Sequence, residues 1–329
     1  MRGRHAIGYL ARGAVLAGAL LLLVHMVDLR SVGRQLCAVP PWLLAAAVLI
    51  ALLRIVLSGL RWWLLTPSRP CALRPRDCIR YALVANTFTL LMPGALGGDL
   101  VRAALVLDEV RQERAALMVS IVVDRVVGLT SIMLLAVAAI LASPQVPHKT
   151  VLLAAVAAAL AALACALALV RRDATRRVLC AWASHAGRLA PRCVAAVAAA
   201  HAAVVAISGK RVRVLSALLL CIPIHLLWFV IVYLLARHLN IAISFLTACS
   251  VTALVWLITT LPLSLAGVGV RELSYVYLLG MYGVSADAAT ALSLAQFAIM
   301  VVSALLGIPF IVHMGRPAPH PVPHGDPHD

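Results

Sequence analysis

Long apolar runs separated by short basic loops organise the chain. The first run covers about 7–27, with Arg12 near its start placed to snorkel to the interface. The second covers about 40–65, carries Arg54 and Arg61, and ends in Trp62 and Trp63. Tryptophans at that position suit an interfacial aromatic belt. Uninterrupted runs recur at about 118–142, 151–170, 214–236 and 288–312. A run of about 20 apolar residues crosses a hydrocarbon core of about 30 Å as helix.

Two further apolar segments, 81–107 and 243–283, are broken in the middle. Pro93, Gly94, Gly97 and Gly98 interrupt the first, and Pro262, Gly267 and Gly269 the second. Each half of the first is about a dozen residues, or roughly 18–20 Å of helix. That is too short to cross, so the pattern predicts a re-entrant hairpin that returns to its own side. The alternative is that Pro and Gly kink two ordinary spanning helices.

The fold expected is an all-α integral membrane protein, with about six full spans and two re-entrant hairpins. One membrane domain covers 1–316 and a Pro/His-rich disordered tail 317–329. The segment 171–213 is basic and weakly amphipathic, as expected of a cytoplasmic loop lying along the membrane surface. The first run is followed by many others, which marks it as a span and not a cleaved signal peptide.

Composition agrees. The 329 residues are 64% hydrophobic and 12% charged, with a mean hydropathy of +1.02, far from soluble averages of roughly 45–50% and 25%. No room is left for a separate soluble catalytic domain. The net charge of +16 sits in the loops, the positive-inside pattern, and does not point to nucleic acid. With the N-terminus inside, the loop around 69–80, the segment 171–213 and Arg316 also fall inside, which predicts a multi-pass protein of the bacterial cytoplasmic membrane with both termini cytoplasmic.

The two broken segments share a pattern. Pro93, Gly98 and Arg102 match Pro262, Gly267 and Arg271 as P-x4-G-x3-R, offset by 169 positions. Three full spans lie between the copies, so the hairpins enter from opposite faces, as in inverted-topology repeats whose broken helices meet near the midplane. Unpaired N–H groups at half-helix starts favour anions, and Arg102 and Arg271 add fixed positive charge. A phosphate or similar anionic headgroup is the natural guest, gripped in a bidentate fork.

Charges within apolar segments are functional candidates because they are costly there. Asp99 and Arg102 lie three apart on one helical face; Glu272 follows Arg271; Asp124 and Arg125 interrupt the run that begins at 118; Asn86 precedes Pro93 by seven positions. Each acid has a structural alternative, neutralising a nearby arginine. Asp99 and Glu272, at the breaks, favour the site reading, whereas Asp124 and Arg125 fit either; these acids could also carry a coupling proton. Arg54 and Arg61 share a helix face and are expected to snorkel to the inner surface rather than to line a cavity. The isolated His25, His225 and His313 are expected to be packing residues, and the scattered cysteines small core residues, with no metal site or disulfide framework. No P-loop, G-x-S-x-G elbow or H-E-x-x-H occurs, and no cofactor is expected.

The segments "NTFTLLMPGALGGDLVRAALVL", "VVDRVVGL" and "LPLSLAGVGVRELSYVYLLG" resemble the lysylphosphatidylglycerol synthase transmembrane family, also called flippase-like domain proteins. The resemblance covers nearly the whole chain. It implies a lipid-translocating role through two re-entrant hairpins, with Asn86, Pro93, Gly97, Gly98, Asp99, Arg102, Asp124, Arg125, Gly267, Gly269, Arg271 and Glu272 as the matching positions. In multidomain members the membrane part precedes a soluble synthase and is taken to flip aminoacylated phosphatidylglycerol. This sequence ends soon after its last run, so aminoacyl transfer is not expected of it. The first expectation is therefore a flippase or transporter of an anionic lipid. The others are a membrane enzyme acting on a lipid-linked substrate and a carrier of a small soluble anion. Membrane lipids are the expected partners, nucleic acid is not, and the reading admits a homo-oligomer and a separate lipid-modifying enzyme.

Overall fold

The computed structural model describes residues 39–67, 73–90, 96–110, 114–143, 146–185, 190–261 and 267–313. The run 7–27, the break residues Pro93, Gly94 and Pro262, and the tail 317–329 lie outside the described residues. Every element among those described is a helix.

Five helices are long and apolar enough to cross a membrane. They are α1 (Pro41–Leu65), α4 (Arg114–Ala142), α5 (Lys149–Val170), α8 (Arg211–His238) and α11 (Ala286–Leu305), which the short α12 (Ile308–His313) extends. They coincide with five of the six expected spans. The surface they leave uncovered is apolar, as a lipid solvent requires: Trp42, Leu49, Val122, Leu134, Val151 and Leu215 are all exposed. Helix α5 is the extreme case, with Val156 as its one buried residue.

Each broken segment forms a pair of shorter helices. The first gives α2 (Pro75–Thr89, 15 residues) and α3 (Leu96–Glu109, 14 residues). The second gives α9 (Phe245–Thr260, 16 residues) and α10 (Val270–Gly280, 11 residues). Among the described residues each segment is thus two helices, which end and restart on either side of residues 91–95 and 262–266. Gly97 and Gly98 correct the expectation that they interrupt the first segment: both lie in the opening turn of α3, where the lack of a Cβ at Gly98 allows close packing on α2.

The start signals are local. Pro75 opens α2 at a position where its missing N–H costs nothing, and the Arg74 N–H donates to the Asp77 carboxylate at 3.2 Å. Ser244 caps α9 by accepting from the Thr247 N–H at 3.1 Å. Helix α10 begins after Gly267 and Gly269, at φ +76° and +79°. Residues with a Cβ rarely adopt such angles. The Gly269 N–H then donates to Glu272 Oε2 at 2.5 Å, half of a capping box.

Small residues bring the helices together, as is usual in membranes. Gly59 of α1 lies so close to α2 that a Cβ there would sit 2.7 Å from Ile79 Cα. Gly98 of α3 lies against α2, where a Cβ would sit 2.7 Å from the Ala85 carbonyl oxygen, and Gly307 sits just as tightly against Leu83 of α2. Leu43, Ala47 and Ala51 of α1 pack on Ile231 and Leu235 of α8, Leu279 of α10 and Leu292 of α11. A second core joins Trp62, Tyr81, Val106 and Leu117 across α1 to α4, and a third joins α4, α8 and α9 through Ile132, Phe229 and Ala253.

The segment 171–213 holds α6 (Asp173–Ala183) and α7 (Ala190–Gly209). Val178, Leu179 and Trp182 are exposed on α6, as are Arg177 and, just before the helix, Arg172. That composition suits the headgroup layer. Helix α7 is tied to the bundle through Ala203 and Ile207 against Val119 of α4.

The expected aromatic belt needs a correction at Trp62. The side chain is fully buried, its Nε1 donates to Ser120 Oγ at 3.1 Å, and its ring meets Tyr81 edge to face at 6.1 Å. An indole N–H with a polar partner inside the protein has no need of the interface. Trp63 points outward, 38% exposed, and bonds the Leu73 carbonyl.

Candidate functional site

The two broken helix pairs face one cavity of about 230 Å³. From α2 and α3 come Asn86, Gly98, Asp99 and Arg102; from α9 and the start of α10 come Thr252, Gly267 and Arg271. Arg54 of α1, Arg125 of α4, Trp228 of α8 and Gln296 of α11 complete the polar and aromatic lining. An adjoining chamber of about 120 Å³ shares Arg54, Asp99, Arg102 and Arg125 and reaches Arg61, Asp124 and His225.

The arginines are held by a crossed set of ion pairs. Neighbours on a helix project about 100° apart, so Asp124 and Arg125 of α4 reach different partners. Asp124, 3% exposed, accepts from Arg61 Nε at 2.7 Å and Arg61 Nη2 at 2.9 Å, and from Arg102 Nη1 at 3.1 Å. Arg125 Nε donates to Asp99 at 2.7 Å. The neighbours Asp99 and Arg102 on α3 thus each find their partner on α4 rather than in one another. Gly128, one turn beyond Asp124, leaves room for the Arg61 guanidinium, which a Cβ there would approach at 3.3 Å.

The second half has its own cluster. Arg271 Nη2 donates to Glu272 Oε1 at 2.7 Å, and Arg271 Nε donates to Ser293 Oγ at 3.0 Å. Ser293 in turn donates to Glu272 at 3.0 Å. The two repeat arginines are treated alike: Arg102 lies over the Trp62 ring at 4.9 Å and Arg271 over the Phe297 ring at 4.5 Å. Both are buried, at 7% and 4% exposure. The packing partners also correspond. Gly98 lies against Thr89 at the end of α2, and Gly267 against Thr259 near the end of α9.

Asn86, Asp99, Arg102, Arg125 and Arg271 are all brought to the main cavity, and Asp124 lies in the adjoining chamber. Glu272 stands behind Arg271 as its partner. Gly98 and Gly267 line the cavity, Gly97 is buried at the start of α3, and Gly269 sets the backbone of the second turn with open space where a Cβ would stand.

Arg54 and Arg61 correct the expectation of surface snorkelling. Arg61 is 8% exposed and doubly bonded to Asp124. Arg54 lies about 20 Å along a helix of about 37 Å, too deep to reach either end. Its guanidinium rests over Trp228 at 4.8 Å, and its Nε is buried without a hydrogen-bond partner. A cation at that depth costs at least about 2.5–3.5 kcal/mol, and a desolvated cation–π contact returns about 2. Their seven-residue spacing marked a shared helix face; only the partners on α4 and α8 show that the face turns inward.

Ser293, Gln296 and Thr252 were not singled out from the sequence. Isolated polar residues in otherwise apolar runs were the available signal. His225 is a packing residue as expected, with Nε2 2.9 Å from Ser131 Oγ and its ring edge-on to Trp256 at 5.9 Å, although it also borders the inner chamber. Cys221 and Cys249 are buried in helix contacts, whereas Cys165 faces outward. Among the described residues no three His, Cys, Asp or Glu side chains converge as a metal site would need.

The lining is predominantly cationic. Five arginines meet two aspartates in the cavity and chamber, and Glu272 adds a third acid behind Arg271. The Nε of Arg54, the Nε of Arg102 and the Nδ2 of Asn86 are buried donors without partners, and buried donors are costly unless matched. Neither the curated proteins nor the solved structures contain a match to the chain. The family model described as the lysylphosphatidylglycerol synthase TM region matches residues 9–307, and the chain therefore belongs to that family of membrane proteins linked to lipid metabolism or translocation.

Proposed function

We propose that the protein moves lipids with an anionic headgroup between the leaflets of the bacterial cytoplasmic membrane, with the headgroup held in the arginine-lined cavity and the acyl chains left in the bilayer. The observation that carries this reading is the cavity itself: Arg102 and Arg271, from two separate broken segments, border one polar space within an apolar bundle. Backbone that is not helical is tolerated at membrane depth where it borders such a space.

In this reading α2 with α3, and α9 with α10, are re-entrant hairpins from opposite faces, related as an inverted repeat. Their lengths support it, since 11 to 16 residues of helix give about 16–24 Å against a core of about 30 Å. The similar Gly–Thr contacts support the repeat, as does the bonding of Arg102 to Asp124 and of Arg271 to Ser293, partners that are themselves 169 positions apart. The excess of basic residues in 171–213 supports a cytoplasmic placement of that segment.

The test is headgroup movement in reconstituted vesicles, read by reduction of a fluorescent phosphatidylglycerol in the outer leaflet. Arg102→Ala and Arg271→Ala, each still monodisperse in detergent, should slow the exchange at least about tenfold, a change of 1.4 kcal/mol. Unchanged exchange in both variants refutes the reading. Lipid analysis of cells lacking the gene adds a second readout: a lipid in the wrong leaflet supports translocation, whereas a missing lipid species indicates chemistry instead.

A further inference from the structure

The ion pairs at the cavity do not cancel, and the remainder says what charge a guest must bring. Arg125 is matched by Asp99 and Arg271 by Glu272. Asp124 is shared between Arg61 and Arg102, so that triad keeps one positive charge. Arg54 has no carboxylate partner among the described residues and stacks on Trp228. The described site therefore holds an excess of two positive charges, borne by Arg54 and by the Arg61–Asp124–Arg102 triad.

These two carriers border the same space. Arg54 and Arg102 both line the main cavity and both line the inner chamber. The Nε of each is buried without a hydrogen-bond partner. Asn86 Nδ2, also without one, lies on the same wall. Three residues with an unmatched donor, two of them carrying the uncompensated charge, thus line a cavity of about 230 Å³. A phosphodiester brings one negative charge and leaves the site unbalanced. A terminal phosphomonoester brings close to two above its second ionisation near pH 6, with three acceptor oxygens.

Resting on the lipid reading above, we propose that the site selects a dianionic headgroup, a terminal phosphomonoester or a group of equal charge, and that Arg54 is the residue that distinguishes it from a phosphodiester. The choice runs against a cationic aminoacyl headgroup, whose amines would add to the excess already present. Arg271, already satisfied by Glu272 and Ser293, contributes geometry more than net charge.

The test is equilibrium binding to the full-length protein in detergent at pH 8, read by native mass spectrometry. The probes are dioleoyl phosphatidate, dioleoyl phosphatidylglycerol, lysylphosphatidylglycerol and soluble glycerol 3-phosphate. Phosphatidate should bind at least about tenfold tighter than phosphatidylglycerol, with the lysyl lipid weakest. Arg54→Gln should bring phosphatidate and phosphatidylglycerol to within about twofold of each other, and Arg54→Lys, which keeps the charge, should retain the preference. Equal binding of the two lipids by the native protein overturns the proposal, as does a preference that survives Arg54→Gln; in either case the lipid reading itself stands. Binding of glycerol 3-phosphate without any of the lipids supports the dianion site and overturns the lipid reading. Binding of none of the four overturns both.

Discussion

Replacing Asp124 by Asn tests how the arginine cluster is held. Asn has the same shape and keeps one acceptor oxygen, so packing is preserved while the charge is lost. In the native protein the Asp124 side chain is 5% exposed and accepts three N–H bonds, two from Arg61 and one from Arg102. Arg102 borders the cavity and can turn toward water there. Among the described residues Arg61 has only the Cys221 sulfur at 3.3 Å as a further side-chain partner and is left as a buried, uncompensated cation. Breaking a buried pair in this way costs about 3–5 kcal/mol. Asp99→Asn is the control: the Arg125–Asp99 side chains are 29% and 16% exposed, and the loss should be nearer 1 kcal/mol. Unfolding in mixed micelles titrated with dodecyl sulfate, followed by tryptophan fluorescence, measures both. The double variant Asp124→Leu with Arg61→Leu should recover more than half of the loss, because apolar replacement removes the orphaned cation together with its partner. A loss below about 1 kcal/mol for Asp124→Asn, or a double variant less stable than the single, refutes the reasoning.

Other substitutions probe the packing and the turns. Gly98→Val would press a side chain into the Ala85 carbonyl, so α2 and α3 should separate, with a stability loss of about 3 kcal/mol or more in the same titration. At Gly269 a Cβ meets nothing within 4 Å, but φ is +79°. Gly269→Ala should therefore cost only the backbone strain, about 1–3 kcal/mol, without changing the melting of lipid-free and lipid-bound protein relative to each other. Trp62→Ala removes a fully buried ring together with its contacts to Tyr81, Ser120 and Arg102; a loss of about 3–5 kcal/mol is expected on unfolding. Cys78, Cys221 and Cys249, buried in helix contacts, should resist a membrane-permeant maleimide in the folded protein and react once dodecyl sulfate unfolds it, which mass spectrometry of the labelled protein will read.

Much of the architecture is legible in the sequence because lipid imposes a simple code. A long apolar run must be a helix with its backbone satisfied internally, and the five spans within the described residues fall where the runs predict them. The division of 81–107 and 243–283 into shorter helices was legible for the same reason, although Gly98 serves helix packing and, among the described break residues, only Gly267 and Gly269 set a turn. What the sequence withholds is direction across the helix. Arg54 and Arg61 read as snorkelling cations because an all-apolar helix carries no moment to say which face meets protein. Trp62 and Trp63 are adjacent and identical, yet one is sealed inside and the other exposed. Only the third dimension separates them, through Ser120 and Tyr81 on neighbouring helices. The crossing of the ion pairs was hidden likewise, because the partner of Asp99 lies 26 positions away and not three.

The distribution of those pairs bears on motion. Arg61–Asp124, Arg102–Asp124 and Arg125–Asp99 fasten α1, α3 and α4 to one another, while Arg271–Glu272 lies wholly within α10. Each electrostatic clasp thus belongs to one bank of the cavity. The contact described between the banks, of α1 with α10 and α11, is apolar, so a tilt along it opens none of these clasps. A barrier built that way would respond to bilayer thickness and lateral pressure far more than to ionic strength.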